Sequence, residues 1–310
     1  MDIPFLFLKN DYLLQYHPIS FTTIIVMKKI NCLLLLVSVV CNQLVAQETK
    51  TTAAIPYGNN KDAGKYYDIR GFKMYCEVYG EGQPLLIIHG NGGSIDNFVN
   101  QIPYFAKKYK VVIADSRAQG KSPDKADSLS YEMMADDYAS LLTTMKIDSA
   151  YVIGWSDGGI EGLLLAIRHP EKVKKLAVTG ANLWPDSSAV SDDIYPLIMP
   201  YYTILKDKTT KTEQDKAQWK LLRLLVEEPH IPLSALHTIQ CPSLIIGGDH
   251  DILKPAHTML IFQNIKQSFL WILPNSGHST PIVYKDIFNS TVDDFFSKPY
   301  RKIEKQGRFN

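Results

Sequence analysis

The sequence predicts an α/β fold: a mostly parallel sheet flanked by helices, with a helical cap insertion. Three observations predict it. Short apolar runs alternate with segments of helical periodicity along most of the chain. The runs are continuous rather than alternating, the pattern of strands buried on both faces of a parallel sheet. One stretch, residues 185–238, breaks this rhythm and keeps helical spacing, although it lies between two strand-like runs.

The chain begins with an address. Met27-Lys28-Lys29 forms a positive region, residues 33–40 are apolar apart from Ser38, and Leu44-Val45-Ala46 ends in a small residue. This reads as a secretory signal peptide over about 27–46, cut near Ala46, with Met27 as the initiator because residues 1–26 do not fit ahead of such a segment. The expected location is secreted or periplasmic, with a membrane anchor as the alternative; the apolar run is shorter than the ~20 residues that span a bilayer. Residues 47–64 are polar and read as a linker.

Residues 66–78 hold two alternating runs around Arg70-Gly71, an opening hairpin. Strand-like runs follow at 85–88, 111–114, 151–154, 176–179, 244–246 and 269–273. Helical patterns lie near 97–107, 131–146, 159–169, 256–265 and 282–297. These place the core at 65–184 and 239–297. The insertion carries Tyr195, Tyr201, Tyr202 and Trp219, and is expected to cap the strand ends, where open α/β sheets bind ligands. Its charged run 206–220 reads as a solvated helix face. Residues 298–310 read as a basic, frayed tail.

Composition narrows the function. The chain has 310 residues, 45% hydrophobic and 21% charged, enough to bury a sizeable core. With 33 basic against 32 acidic side chains there is no broad basic surface for nucleic acid. Four cysteines (Cys32, Cys41, Cys76, Cys241) are too few for a disulfide scaffold, and none forms a Cys-x-x-Cys pair.

The chemistry is concentrated in three places. Gly154-Trp155-Ser156-Asp157-Gly158-Gly159 follows a strand-like run and opens a helix, so Ser156 sits on a sharp turn with glycines two before and two after it. Gly248-Asp249-His250-Asp251 follows the run at 244–246, and Ser276-Gly277-His278 follows the run at 269–273. Serine is a poor nucleophile unless a general base takes its proton, and that base needs a carboxylate to fix its tautomer. Nucleophile, acid and histidine therefore arrive in order as Ser156, Asp251 and His278, each past a strand end. Asp249 competes with Asp251 for the orienting role, and could instead cap the following turn.

His89-Gly90-Asn91-Gly92-Gly93 follows the run at 85–88. A glycine-rich turn there frees a backbone N–H for a developing oxyanion; Asn91 and Asp157 are the candidate donors. His89 reads as a structural histidine. Gly120-Lys121-Ser122 resembles the end of a phosphate loop, but Asp115 stands where its first glycine should be. Gly90-Asn91-Gly92 starts like a dinucleotide fingerprint, but Ile95 replaces its last glycine. Asp249-His250-Asp251 with His257 could bind a metal, although that cluster already has a role in the serine reading. No cofactor or metal is implied.

Asp157 is informative because only its backbone is required. A carboxylate ~6 Å from a developing oxyanion opposes it by roughly 3 kcal/mol at an effective dielectric of about 20. Its side chain should therefore be bonded within the protein, or meet a cation such as a substrate ammonium.

On these residues, together with Asp115-Ser116-Arg117, the chain from about 65 to 297 resembles the α/β-hydrolase superfamily. Gly154 to Ile160 and Thr179-Gly180-Ala181-Asn182 are similar to its valacyclovir hydrolase (biphenyl hydrolase-like) branch. That branch cleaves α-amino acid esters, and an acidic residue near its active site binds the substrate amine, a role the resemblance carries to Asp157, with Trp155 beside it as a further substrate contact. Ala118 and Gln119 stand where the superfamily usually has Arg-Gly. The expectation is a carboxylesterase-like serine hydrolase acting on a small ester. The alternatives are a hydrolase of C–C bonds, lactones or amides on the same residues, and a ligand sensor that keeps the fold. A small-molecule substrate is the expected partner, without nucleic acid or stable membrane insertion.

Overall fold

The computed structural model describes residues 55–303 and Arg308. The expected leader, its initiator and the first part of the expected linker lie outside them. Eight strands form one sheet: β1 (Gly64–Ile69), β2 (Phe72–Tyr79), β3 (Gln83–Ile88), β4 (Tyr109–Ala114), β5 (Ala150–Trp155), β6 (Val173–Thr179), β7 (Ser243–Gly248) and β8 (Ser268–Leu273). Their order is β1-β2-β4-β3-β5-β6-β7-β8. β2 runs antiparallel to β1 and β4, and the remaining pairs are parallel.

Six longer helices complete the layers: α1 (Tyr131–Thr144), α2 (Asp157–Arg168), α3 (Tyr195–Asp207), α4 (Glu213–Glu227), α5 (Pro255–Gln263) and α6 (Lys285–Ser297). Successive strand residues point to opposite faces. Leu86, Ile88, Val112 and Val152 pack with Tyr138 of α1 and Leu163 of α2 on one side. Leu85, Ile87, Val111 and Ile153 pack with Phe98, Phe105 and the Phe288–Val292–Phe296 stripe of α6 on the other. Caps define the helix starts. Ser130 accepts from Met133 N at the head of α1, and Thr212 and Asp215 form a reciprocal capping box at the head of α4.

The structure departs from the sequence reading in places with identifiable causes. The helix expected at 97–107 is a 3-10 turn (Ile95–Phe98) and a single helical turn (Ile102–Phe105). Pro103 stands at the start of the second and has no N–H with which to continue the first. The expected linker is tied down from residue 57 on. Buried Glu77 accepts from Gly58 N (2.8 Å) and Asn60 N (2.9 Å), and Tyr57 packs edge-on against Tyr79. The expected tail begins docked, with the Tyr300 ring against Phe269.

The insertion folds as α3 and α4, packed together through Tyr202 and Trp219. Lys220 ties it to the core through the carbonyls of Asp124 (3.2 Å) and Ala126 (2.7 Å). Among the described residues no helix is long and apolar enough to cross a membrane.

Candidate active site

Ser156 lies between the last residue of β5 and the first of α2, at φ 59° and ψ −123°. That left-handed backbone is strained for a residue with a Cβ, and it is the geometry that lifts a side chain out of a strand-to-helix turn. The turn admits no side chain at its flanking glycines. A Cβ on Gly154 would meet Gly158 O at 2.1 Å, and one on Gly158 would meet Ile88 O at 2.2 Å.

Ser156 Oγ lies 2.8 Å from His278 Nε2, and His278 Nδ1 lies 2.7 Å from Asp251 Oδ1. Asp251 is buried, and the same oxygen accepts from Leu253 N (3.1 Å). Asp249 does different work. It accepts from Asn275 N (2.9 Å), Ser276 N (3.0 Å) and the His250 ring (2.8 Å), stitching the loop after β7 to the loop that carries His278. Those bonds, the His250 one foremost, hold its carboxyl down at about 2. Among the described residues Asp249, His250, Asp251 and His257 do not gather into a group that could hold a metal ion, and His257 is engaged elsewhere. It accepts from Leu183 N (2.9 Å) and stacks edge-on with Trp184, and burial lowers its imidazole to about 4.

The turn after β3 approaches the serine closely: a Cβ on Gly90 would meet Ser156 Cβ at 3.0 Å. His89 braces this turn. Its Nε2 accepts from Ser116 N (2.9 Å), so Nδ1 carries the proton and donates to Gly90 O (2.8 Å). The ring is wholly buried, and burial favours its neutral form. Gln119 braces the same turn, its Oε1 accepting from Gly92 N (2.6 Å). Asp157 opens α2, so its N–H has no acceptor within the helix. Asn91 spends its side chain on Asp157 Oδ2 (2.8 Å) and on Leu221 O of α4 (3.2 Å), which leaves only its backbone for an oxyanion.

The Asp157 carboxyl is bonded within the protein and also lines the cavity above Ser156. Burial lifts it to about 6, against hydrogen bonds from Asn91 and the Tyr131 hydroxyl and the nearness of His278. Both of those donors are neutral, so its charge is not cancelled. One helical turn further on, Glu161 is wholly buried, and neither carboxyl oxygen has a hydrogen-bond partner among the described residues. Burial, reinforced by Asp157 and Asp137, raises its carboxyl well above the usual range and favours the neutral acid.

Trp155, expected to touch substrate, belongs elsewhere. Alternation at the end of β5 turns its ring toward the opposite face of the sheet, where it packs edge-on with Phe98 and donates from Nε1 to His278 O (2.9 Å). It supports the histidine loop and does not line the cavity.

The cavity holds about 50 Å³ of space open to water, and about 560 Å³ when every gap and the open solvent at its mouth are counted. Ser156, Asp157, Gly180 and His278 form its floor, Pro185, Val190, Ile194, Ile198, Leu225 and Val226 give it apolar walls, and Tyr131 and Glu228 add polar groups. Among the described residues its lining includes no lysine or arginine. Gly180 is forced by the histidine: its φ is +64°, and a Cβ would meet His278 Cε1 at 2.7 Å. Tyr131 and Glu228 were missed by sequence reasoning. Tyr131 reads there as an ordinary first residue of a helix, and Glu228 as the charged end of another. Nothing local to either marks it.

With this geometry in place, the class of protein is defined. Residues 83–203 match the alpha/beta hydrolase fold family. The chain is 30% identical to "Serine hydrolase BPHL" of Homo sapiens over 250 residues, 73% of this chain and 84% of that protein. It is 32% identical to "2-hydroxymuconate semialdehyde hydrolase" of Pseudomonas sp. (strain CF600), covering 77% of this chain and 96% of that one. The enol-lactonase from Burkholderia xenovorans LB400 shares the fold at TM-score 0.63 and 20% identity, over 76% of this chain and all of that one. The chain belongs to the α/β-hydrolase fold family, a family of hydrolases, in its biphenyl hydrolase-like branch.

Proposed function

We propose that this protein is a serine hydrolase that cleaves small amine-bearing esters through an acyl-enzyme on Ser156. The observation that carries the reading is the unbroken chain of short hydrogen bonds from Ser156 through His278 to Asp251, at the floor of a cavity whose ionisable lining groups among the described residues, besides His278 and tyrosines, are carboxyls. His278 Nε2 takes the Ser156 proton as Oγ attacks the ester carbonyl. The Asp251 carboxylate holds the ring and stabilises the imidazolium that forms. The N–H groups of Asn91 and Asp157 receive the oxyanion. Collapse of the tetrahedral intermediate passes the proton from His278 to the departing alkoxide. Water, deprotonated by the same nitrogen, then releases the acid and restores Ser156.

A hydrolase of C–C bonds on the same residues is favoured by one relative's name, 2-hydroxymuconate semialdehyde hydrolase. An anionic substrate of that kind suits a cavity with a lysine or arginine. This one carries Asp157 and Glu228 and neither cation, which favours the amine-bearing ester. The leader-like segment at 27–46 supports export from the cytoplasm as the setting for this activity.

The test uses amino acid benzyl esters and a fluorophosphonate probe. Wild-type protein is expected to turn over the esters and to be labelled at Ser156. Ser156→Ala is expected to lose labelling and to lower kcat by about 10⁴-fold or more. Turnover that survives this substitution excludes the assigned nucleophile.

A further inference from the structure

The second carboxyl in the cavity has no part in the mechanism above. Glu228 follows the last residue of cap helix α4 and lines the cavity with Asp157, Tyr131 and the apolar wall. His230 and Arg223 are the basic side chains near it, and among the described residues neither forms an ion pair with it. Arg223, the nearby cation on α4, is engaged with Glu227 at 2.9 Å. Among the described residues its hydrogen bond is a long one, from Tyr131 N to Oε2 (3.4 Å). A half-buried carboxylate facing an apolar cavity costs desolvation without compensation unless a bound molecule supplies a donor.

Tyr131 also sets the spacing. Its hydroxyl is an electrostatic neighbour of Asp157 while its backbone N–H reaches Glu228 at 3.4 Å. The two carboxyls therefore flank one tyrosine residue, Glu228 at its backbone nitrogen and Asp157 near its phenol. An extended lysine reaches a similar distance from its α- to its ε-nitrogen. Leu225, Val226, Ile194 and Ile198 line the cavity that such a methylene stem would cross, the arrangement in which a long cationic side chain buries its carbons and pairs its head.

We propose that Glu228 is a second cation subsite, and that the site takes esters of dibasic amino acids, with the α-ammonium on Asp157 and the side-chain cation on Glu228. The proposal rests on the amine-reading role of Asp157 and adds the cap-borne carboxylate that reads the side chain.

The experiment compares lysine and norleucine benzyl esters, which share the chain and differ in the terminal ammonium, on wild type, Glu228→Gln and Glu228→Asp, with fluorophosphonate labelling of Ser156 in parallel. The wild type is expected to favour the lysine ester in kcat/KM by about tenfold or more, the worth of a charge-assisted contact. Glu228→Gln is expected to remove most of that ratio, and Glu228→Asp, which keeps the charge, to retain part of it. Equal rates on the two esters in wild type, or a ratio unchanged in Glu228→Gln, overturn the subsite while leaving the serine mechanism intact. Labelling of Ser156 without turnover of either ester overturns the amine-bearing ester and this subsite together. Absence of labelling in folded wild type, with an unaltered thermal unfolding transition, overturns the nucleophile itself.

Discussion

Two groups of buried acids occupy the helix pair α1 and α2, and the protein treats them in opposite ways. Around Asp137 on α1 every charge has an answer. Arg117 clasps its carboxylate with two bonds (2.6 and 2.8 Å), Arg70 adds a third (3.0 Å), and the Arg117 guanidinium lies 4.0 Å over the Phe72 ring and pairs with Asp124. Around Asp157 and Glu161 on α2, no lysine or arginine among the described residues forms an ion pair. Asn91 and Tyr131 give Asp157 neutral bonds, and Glu161 has none. Both groups are buried to a similar degree, so depth does not separate them. The Asp137 group acts as a clasp between β1, α1 and the loop after β4. Of the second group, Asp157 lines the cavity, where its charge is available to a molecule from outside. Compensation of charge distinguishes a structural ion pair from a site awaiting a ligand.

The largest effect should come from breaking the clasp. Arg117→Met leaves Asp137 buried without its bidentate partner, and the expected loss is about 3–5 kcal/mol in a urea unfolding curve. A loss below about 1 kcal/mol means that Asp137 is not held as an ion pair and that the two clusters do not differ as described.

Next comes the charge of Asp157. Asp157→Asn is expected to lower kcat/KM on an amino acid ester about a hundredfold relative to its des-amino counterpart, because a charge-assisted bond is lost in a desolvated cavity. The same group sets a pH dependence. Its carboxyl is lifted to about 6, so it is protonated below that value and cannot pair with an ammonium. The preference for the amino ester over the des-amino ester should therefore rise with pH through about 6, fall again above about 7.7 as the substrate ammonium loses its proton, and lose its rising limb in Asp157→Asn. Taking the ratio of two substrates cancels the pH dependence of the serine mechanism that both share. A ratio flat from pH 5 to 8 in wild type contradicts the assignment.

The smallest effect is on stability. Glu161 and Asp157 both have carboxyls raised above their ordinary values on folding, so each contributes stability at low pH that is lost as pH rises toward the folded-state value. Glu161→Gln keeps the shape and removes the titration. It should be neutral near pH 4 and more stable than wild type by about 1 kcal/mol or more at pH 8. Unfolding midpoints measured at the two pH values decide it: a variant less stable at both means that Glu161 is bonded in the folded protein.

Much of this molecule is written locally in its residues. The runs at 85–88, 111–114 and 151–154 are apolar without alternation because both faces of β3, β4 and β5 are covered, and a few neighbouring residues suffice to say so. The elbow around Ser156 is legible for the same reason: two glycines and a serine at fixed spacing dictate one backbone turn. The order of Ser156, Asp251 and His278 along the chain followed from strand ends, and the family resemblance chose Asp251 over Asp249. Three matters depended on packing. Trp155 was assigned to the substrate, but its direction is set by the pleat of β5 against Phe98. Glu161 has helical spacing like any exposed acid, and only the docking of α2 against α1 buries it without a partner. Tyr131 and Glu228 lie far from Ser156 in sequence, and become neighbours of it when the cap closes over the strand ends. The sequence by itself determined the backbone turn and the order of the reacting groups, because turn chemistry and periodicity act over a few residues. The electrostatics of the cavity were decided by tertiary structure, because burial and the absence of a counter-ion are properties of what surrounds a side chain.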